Sequence, residues 1–222
     1  MRPLAIDLFC GLGGWTEGLL AEGYDVVGFD IEQHVYGEHR YPAQLVVQDV
    51  LTLHGSQFKT AALIVASPPC QEYSYMAMPW TRAKAKAADY RSGKRDVKQL
   101  TALFDACFRI QREASEAAGR RIPLVVENVK GAQPWVGRSR FRFGSFYLWG
   151  DVPALMPAVN TSGKGQNPDG RKQKGSGAIW FDTGIAALPS SSPRRKFASA
   201  MIAKIPLPLS RHIAATYLPA GA

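Results

Sequence analysis

Short apolar runs alternate with helical segments along the first two thirds of the chain, and this alternation constrains the fold more than any other feature. Buried strands are predicted at 4–9, 26–29, 45–47, 63–66 and 122–126. Apolar residues recur at helical spacing over 97–118, which predicts a long helix, and an aromatic-rich run predicts a sixth strand at 143–149. Strands that alternate with helices form βαβ units, so the sequence predicts an α/β fold with a mostly parallel central sheet and helices on both faces.

The carboxyl ends of the predicted strands carry the candidate functional residues, at the edge where open α/β sheets bind ligands. The first strand runs into the glycine-rich turn DLFCGLGG at 7–14, where glycines let the backbone approach a ligand closely. Its glycine spacing departs from the dinucleotide fingerprint G-x-G-x-x-G, which disfavours a dehydrogenase. Asp30 and Asp49 end the next two strands. Either could be a helix cap, but the pair at neighbouring strand ends favours an adenosine-type cofactor.

A cysteine and a glutamate follow the next two strands. Two prolines make a rigid turn that presents Cys70, in the run SPPCQEYS at 67–74. A lone cysteine is usually an inert buried residue, but polar loop neighbours would allow a thiolate to form. Glu127 ends an apolar strand, where a drier environment raises a carboxyl pKa and suits it to share a proton. Its alternative roles are a helix cap or a buried salt bridge.

Charge and cysteine content limit the partners of the chain. The net charge of +9 and the pI of about 9.6 indicate a polyanionic partner, with nucleic acid as the first candidate. Three cysteines are too few for a disulfide framework, which favours a reducing cytoplasm. The N-terminus lacks the features of a signal peptide and no apolar run is long enough to span a membrane. We therefore expect a cytoplasmic protein with no membrane partner and no metal.

Two stretches interrupt the regular pattern. The segment 76–95 is basic and has no clean period, whereas 160–196 is rich in Gly, Ser, Pro, Lys and Arg and is predicted to be a long surface excursion. The predicted organisation is a core at 1–154, a surface segment at 155–196 and a C-terminal segment at 197–222.

The motifs taken in order resemble the C5-cytosine DNA methyltransferase family. The matching runs are DLFCGLGG, GFDIE, QDV, SPPCQEYS and VVENV, and the tail IAKIPLPLSRHIA is similar to the closing motif of that family. The chain looks like a small, phage- or prophage-type member, which implies a bacterial or phage-infected cell. The resemblance implies a catalytic and cofactor-binding core at 1–154, a reduced target-recognition or DNA-contact segment at 155–196, and a C-terminal helix that returns to the core at 197–222. The resemblance implies a Rossmann-like S-adenosylmethionine-dependent methyltransferase fold.

The resemblance also implies a role for each matching residue. The residues that would hold S-adenosyl-L-methionine are Phe9, Gly11, Gly13, Asp30, Ile31, Asp49, Val50 and Pro69. Cys70 would be the nucleophile and Glu127 the acid that binds the cytosine ring. The Gln-x-Arg-x-Arg motif of the family is replaced by Arg140 and Arg142, which share one face if they lie on a strand and could reach the ring or a phosphate. A basic edge strand is the alternative for this pair.

The implied reaction is methyl transfer to carbon 5 of cytosine in DNA through a Cys70 adduct at carbon 6, with the target base flipped out of the duplex. We expect a monomer that reads a short sequence, as in restriction-modification, with a partner protein for recognition left open. The base that removes the carbon-5 proton is not identified. Two alternatives remain: the same chemistry on RNA or a free cytosine nucleotide, and a catalytically silent DNA-binding subunit, against which the presence of both Cys70 and Glu127 argues.

Overall fold

The computed structural model of the protein describes residues 2–71, 73, 80–157, 188–189 and 191–221. The strands in these ranges are β1 Leu4–Leu8, β2 Asp25–Asp30, β3 Val35–Tyr36, β4 His39–Arg40, β5 Gln44–Val47, β6 Ala61–Ala66, β7 Leu124–Asn128, β8 Phe141–Phe143 and β9 Phe146–Gly150. The α-helices are α1 Gly14–Ala21, α2 Trp80–Arg91, α3 Val97–Ala118, α4 Gln133–Val136, α5 Pro193–Ala203 and α6 Leu207–Tyr217. Short 3-10 helices are η1 Val50–Thr52, η2 Gly55–Phe58 and η3 Lys130–Ala132.

A seven-stranded sheet forms the centre of the molecule, in the order β5-β2-β1-β6-β7-β9-β8. The first five strands in this order are parallel, and β9 runs antiparallel to both β7 and β8. The sheet confirms the predicted α/β fold with a mostly parallel centre. Because the carboxyl ends of parallel strands share one edge, the turns after β1, β2, β6 and β7 meet there.

Helices cover both faces of the sheet, and the strands alternate their buried side chains between two cores. On the α3 face, Ile64 and Val126 pack with Phe104 and Ile110 of α3. On the opposite face, called the α6 face here, Val65 and Val125 pack in a core that also holds residues of α1 and α6. Strands buried on both faces explain why the sequence shows continuous apolar runs rather than strict alternation.

Helix α3 has the predicted bounds because its ends carry strong local signals. The Asp96 side chain accepts a hydrogen bond from the Lys98 amide at 2.8 Å, which caps the first turn. Gly119 ends the helix in the left-handed region, with φ 64°.

One predicted element was wrong, and one segment without a predicted element contains a helix. The run at 143–149 is a hairpin rather than one strand, because Gly144 takes φ 60° in the turn between β8 and β9. The basic segment 76–95 contains helix α2, although 76–79 lie outside the described residues. Most of the predicted excursion at 160–196 also lies outside them. None of the described helices is long and apolar enough to cross a membrane.

Candidate active site at the carboxyl edge of the sheet

The glycine-rich turn after β1 bends through left-handed backbone conformations. Phe9, Gly11 and Gly13 have φ of 57°, 51° and 77°. A Cβ added to Gly13 would lie 2.5 Å from Cδ of Pro42, so a side chain does not fit there. A Cβ added to Gly11 would meet nothing within 4 Å, so open space faces this part of the turn. The turn therefore presents bare backbone at the carboxyl edge.

Asp30, at the end of β2, is tied to that turn. Its Oδ2 accepts a hydrogen bond from the Gly11 amide at 2.9 Å, and its Oδ1 lies 3.7 Å from Nε2 of His34. Burial acts to raise the pKa of Asp30, but the hydrogen bonds from His34 and Gly11 outweigh it and lower the pKa overall. The carboxylate is thus kept charged where the first two strands end.

The other predicted cofactor residues lie at the next strand ends. Ile31 has an apolar side chain, yet 70% of its surface is exposed. Val50 is buried, with 2% of its surface exposed. Asp49 Oδ1 accepts a hydrogen bond from the Leu51 amide at 2.9 Å and so caps η1. This cap is the simpler of the two roles considered for Asp49, and its contact with a cofactor stays a prediction.

A buried acid lies beneath the turn, and the sequence reasoning missed it. Asp7 is fully buried in β1 and accepts a hydrogen bond from the Thr16 hydroxyl at 2.7 Å, and that hydroxyl also lies 2.7 Å from the Tyr41 hydroxyl. Within the described residues, Oδ1 of Asp7 has no hydrogen-bond partner. Burial, and to a smaller extent the Asp30 charge, raise the pKa of Asp7 to about 7. An acid in an otherwise apolar strand was the signal that could have found it.

The turn after β6 that carries Cys70 is held from two sides. The Asn128 amide donates to the Pro68 carbonyl at 2.9 Å, and the Trp15 indole donates to the Ser67 hydroxyl at 3.0 Å. Pro68 is buried, whereas Pro69 is exposed and Cys70 is half-buried. The anchors come from the end of β7 and from α1. These two elements, together with β6, fix the position of the turn that carries the thiol. The sequence gives no local sign of the contribution from Trp15.

Cys70 and Glu127 are brought together at neighbouring strand ends. Burial raises the pKa of the Cys70 thiol, and the nearby charge of Glu127 raises it further. Glu127 itself is 8% exposed at the end of β7. The thiol is therefore protonated near neutral pH when no substrate is bound, next to a carboxyl group that can take part in proton transfer.

Arg140 and Arg142 do not lie beside Glu127. Glu127 pairs with Leu148, which packs in the α6-face core, and Phe141, between the two arginines, packs against the same core. Because alternate residues of a strand point to opposite faces, both arginines lie on the α3 face. Both are exposed. The structure thus gives no support to their predicted contact with the cytosine ring.

The fold and the strand-end residues define a Rossmann-like α/β protein with its candidate chemistry at the carboxyl edge of a parallel sheet. Among the described residues, no group of three or more His, Cys, Asp or Glu side chains is placed to hold a metal ion. The chain belongs to the C-5 cytosine-specific DNA methylase family, which matches residues 4–133, more than half of the sequence.

Several solved structures are similar to the chain. A candidate DNA modification methyltransferase encoded within an E. coli prophage is 24% identical over 59% of this chain and 33% of its own, with a TM-score of 0.39. S. pombe Dnmt2 methyltransferase is 16% identical over 62% and 37%, with a TM-score of 0.37. The Entamoeba histolytica methyltransferase EhMeth is 18% identical over 62% and 41%, with a TM-score of 0.38.

These matches span well under two thirds of the length of each solved structure. A search of the curated proteins found no match.

Proposed function

We propose that the chain transfers a methyl group to carbon 5 of cytosine in DNA, with Cys70 as the covalent nucleophile. The observation that carries the proposal is the Cys70 thiol on an anchored turn, within electrostatic range of the buried Glu127. Family membership supports cytosine as the target base. The target base would leave the duplex stack, because a thiol reaches carbon 6 only across an open ring face.

The proposed first step forms a bond between the Cys70 sulfur and carbon 6 of the ring. As the bond forms, the thiol proton passes to the Glu127 carboxylate, and Glu127 delivers it to ring nitrogen 3. The former double-bond pair between carbons 5 and 6 then makes carbon 5 nucleophilic. The raised pKa of Cys70 disfavours a free thiolate before substrate binds. Proton transfer to Glu127 would remove the thiol proton only as the sulfur–carbon bond forms.

The chain offers a suitable place for S-adenosyl-L-methionine. Open space lies beside the Gly11 backbone, the charged Asp30 carboxylate adjoins it, and the exposed Ile31 offers an apolar surface. These features fit a ligand that has hydroxyl groups and a flat apolar ring. When bound, S-adenosyl-L-methionine would supply the methyl group that carbon 5 accepts. Loss of the carbon-5 proton to solvent, cleavage of the sulfur–carbon bond and return of the nitrogen-3 proton to the departing sulfur would restore the Cys70 thiol.

Trapping on DNA that contains 5-fluorocytosine tests the proposal. Fluorine at carbon 5 prevents the final proton loss, so the protein should stay covalently attached to DNA in a denaturing gel when the cofactor is supplied. Cys70→Ala should abolish both trapping and methylation, whereas Cys107→Ala, which removes a buried thiol of α3, should leave trapping intact. Equal trapping by Cys70→Ala would refute the mechanism. Trapping on fluorinated RNA but not on DNA would reassign the substrate.

A further inference from the structure

An open cleft of about 680 Å³ lies on the α3 face, away from the carboxyl edge. It is bounded by α3, by the end of β9 and by the segment that follows α4. Five arginines line it: Arg109, Arg112, Arg121, Arg138 and Arg140. The acids in its lining are Asp105 and Asp151, so the cleft carries an excess of positive charge.

Part of this charge is already paired. Arg121 contacts Asp151 at 2.6 Å, and Arg109 contacts Glu113 at 3.1 Å. Arg112 lies 4.0 Å from Glu116, both on the exposed side of α3.

The remaining two arginines are available. Arg138 and Arg140 have exposed side chains that form no ion pair with an acid of the described residues, although the charge of Arg140 acts to lower the pKa of Tyr217. The cleft thus holds cations that can meet a new anion without first losing a partner.

The segment that carries these two arginines is held in place. Trp149 donates from its indole to the Gly137 carbonyl at 2.9 Å, and the Ser139 amide donates to the Gln133 side chain at 3.2 Å. The Arg140 amide donates to the Leu148 carbonyl at 2.8 Å. A fixed backbone reduces the entropy that the segment loses when a ligand binds.

The cleft is separate from the proposed catalytic edge and lies toward the start of β7. Gly150, in its lining, pairs with Val125 near the start of β7, whereas Asn128 ends that strand and anchors the Cys70 turn. Arg142 lies opposite Tyr147, at the level of Asn128, and on the same face of the sheet as the cleft.

We propose that this cleft, with Arg138 and Arg140 as its principal contacts, binds the sugar–phosphate backbone of duplex DNA outside the target cytosine. A guanidinium group presents a planar fork of donors that matches phosphate oxygens. An acidic peptide suits the site less well, because β8 has only three residues and is too short an edge to pair with an added strand. The inference rests on the proposed function for the identity of the polymer, but it does not require methyl transfer.

The test compares two double variants of the full chain that lose the same charge. R138Q/R140Q changes the cleft, and R2Q/K59Q removes two exposed charges that precede β1 and β6. Fluorescence anisotropy measures binding of a labelled random-sequence duplex that contains only A·T pairs, over a series of salt concentrations. R138Q/R140Q should bind roughly tenfold more weakly, with a slope of log K against log salt reduced by about 2, because two phosphate contacts are lost. R2Q/K59Q should keep the wild-type slope.

The outcomes separate this proposal from the catalytic one. An unchanged slope for R138Q/R140Q, or an equal loss in both variants, would overturn the cleft assignment and leave the Cys70 trapping result untouched. Loss of binding to a polyglutamate peptide without any loss of duplex binding would also overturn it, in favour of a protein partner. A reduced slope in R138Q/R140Q alone would support it even if no methylation were found. Matching thermal unfolding midpoints exclude a folding defect as the cause.

Discussion

At the scale of single residues, Asp7 has the most unusual environment of the described side chains. It lies in β1 directly beneath the glycine-rich turn, and its pKa is raised to about 7, mainly by burial. A carboxyl group with a pKa raised by folding binds its proton more tightly in the folded state. Its contribution to stability is therefore fully present below the unfolded value near 3.8 and is lost as pH rises to about 7.

The variant Asp7→Asn should remove this pH dependence. The amide keeps the shape of the side chain but does not ionise, so the variant should gain stability relative to the wild type as pH rises from about 4 to 7. Above that pH the difference should stay constant. Urea unfolding at pH steps measures it, with Asp25→Asn as a control because that carboxyl is exposed. Parallel pH profiles for wild type and Asp7→Asn would contradict the assignment.

The variant Glu127→Gln should separate two effects of Glu127, its influence on the Cys70 pKa and its part in proton transfer. Removal of its negative charge should lower the Cys70 pKa, so iodoacetamide should alkylate Cys70 faster in the substrate-free protein. Methyl transfer should nevertheless fall by about 10²–10⁴-fold, because the amide cannot pass on a proton. Mass spectrometry of the alkylated peptide and methylation assays give the two readouts.

Glu116→Gln, on the exposed side of α3, should change neither readout of that experiment. A purely structural role for Glu127 would lower activity through unfolding and would leave the rate of Cys70 alkylation in the folded fraction unchanged.

At the scale of elements, two glycines let α6 and the segment before it approach α1 closely. A Cβ on Gly14 would lie 2.3 Å from the Ile205 amide nitrogen, and one on Gly18 would lie 2.3 Å from the Ser210 hydroxyl. The two glycines are one helical turn apart on α1, so they form a flat contact face. Close packing here fixes the helix whose Trp15 anchors the Cys70 turn.

The variant Gly18→Ala should force α1 and α6 apart. We expect a loss of about 1–3 kcal/mol in the free energy of unfolding, as is typical when a well-packed contact is overfilled. Chemical denaturation measures the loss, and Leu20→Ala, on the exposed side of α1, should stay within about 0.5 kcal/mol of wild type. Equal stability of Gly18→Ala and wild type would mean that the helices do not approach as described.

The elements that the sequence predicted well are those with strong local signals. Helix α3 has a capping aspartate, a terminal glycine and a long apolar stripe, so its bounds agree with the prediction. The sequence predicts one strand where the hairpin β8–β9 lies, because aromatic residues continue on both sides of the Gly-Ser turn that separates the two strands. Helix α2 lacks an apolar face that the sequence could reveal, since four of its twelve residues are basic and four are alanine.

The order of the motifs predicted where the candidate site lies, but residue spacing did not predict which face of the sheet its side chains occupy. Cys70 and Glu127 each follow a buried strand, and parallel pairing brings such strand ends together. The side of the sheet that Arg140 and Arg142 occupy depends on the register between β8 and β9. A one-residue shift of register would exchange the two faces, so sequence spacing alone does not determine which residues they meet.

At the scale of the whole molecule, positive charge extends beyond the candidate site. Exposed cations lie on the α3 face, and others lie in α2 and at the start of α5. The net charge of +9 suits a protein whose affinity for DNA comes mainly from phosphate contacts. Such contacts position the polymer but do not read its bases.

The composition of one short segment bears on the length of the DNA target that the chain recognises. The segment 155–196 holds seven basic residues and two acidic ones, and 158–187 and 190 lie outside the described residues. A Gly- and Ser-rich sequence with this charge suits contact with phosphates. So short a segment can place few side chains on base edges, and each such base contact contributes about 1–3 kcal/mol of discrimination. We therefore expect a target of roughly two to four base pairs. Genome-wide mapping of 5-methylcytosine after expression measures it, with Cys70→Ala as the blank, and a strict site of six or more base pairs would instead require a partner or a further recognition surface.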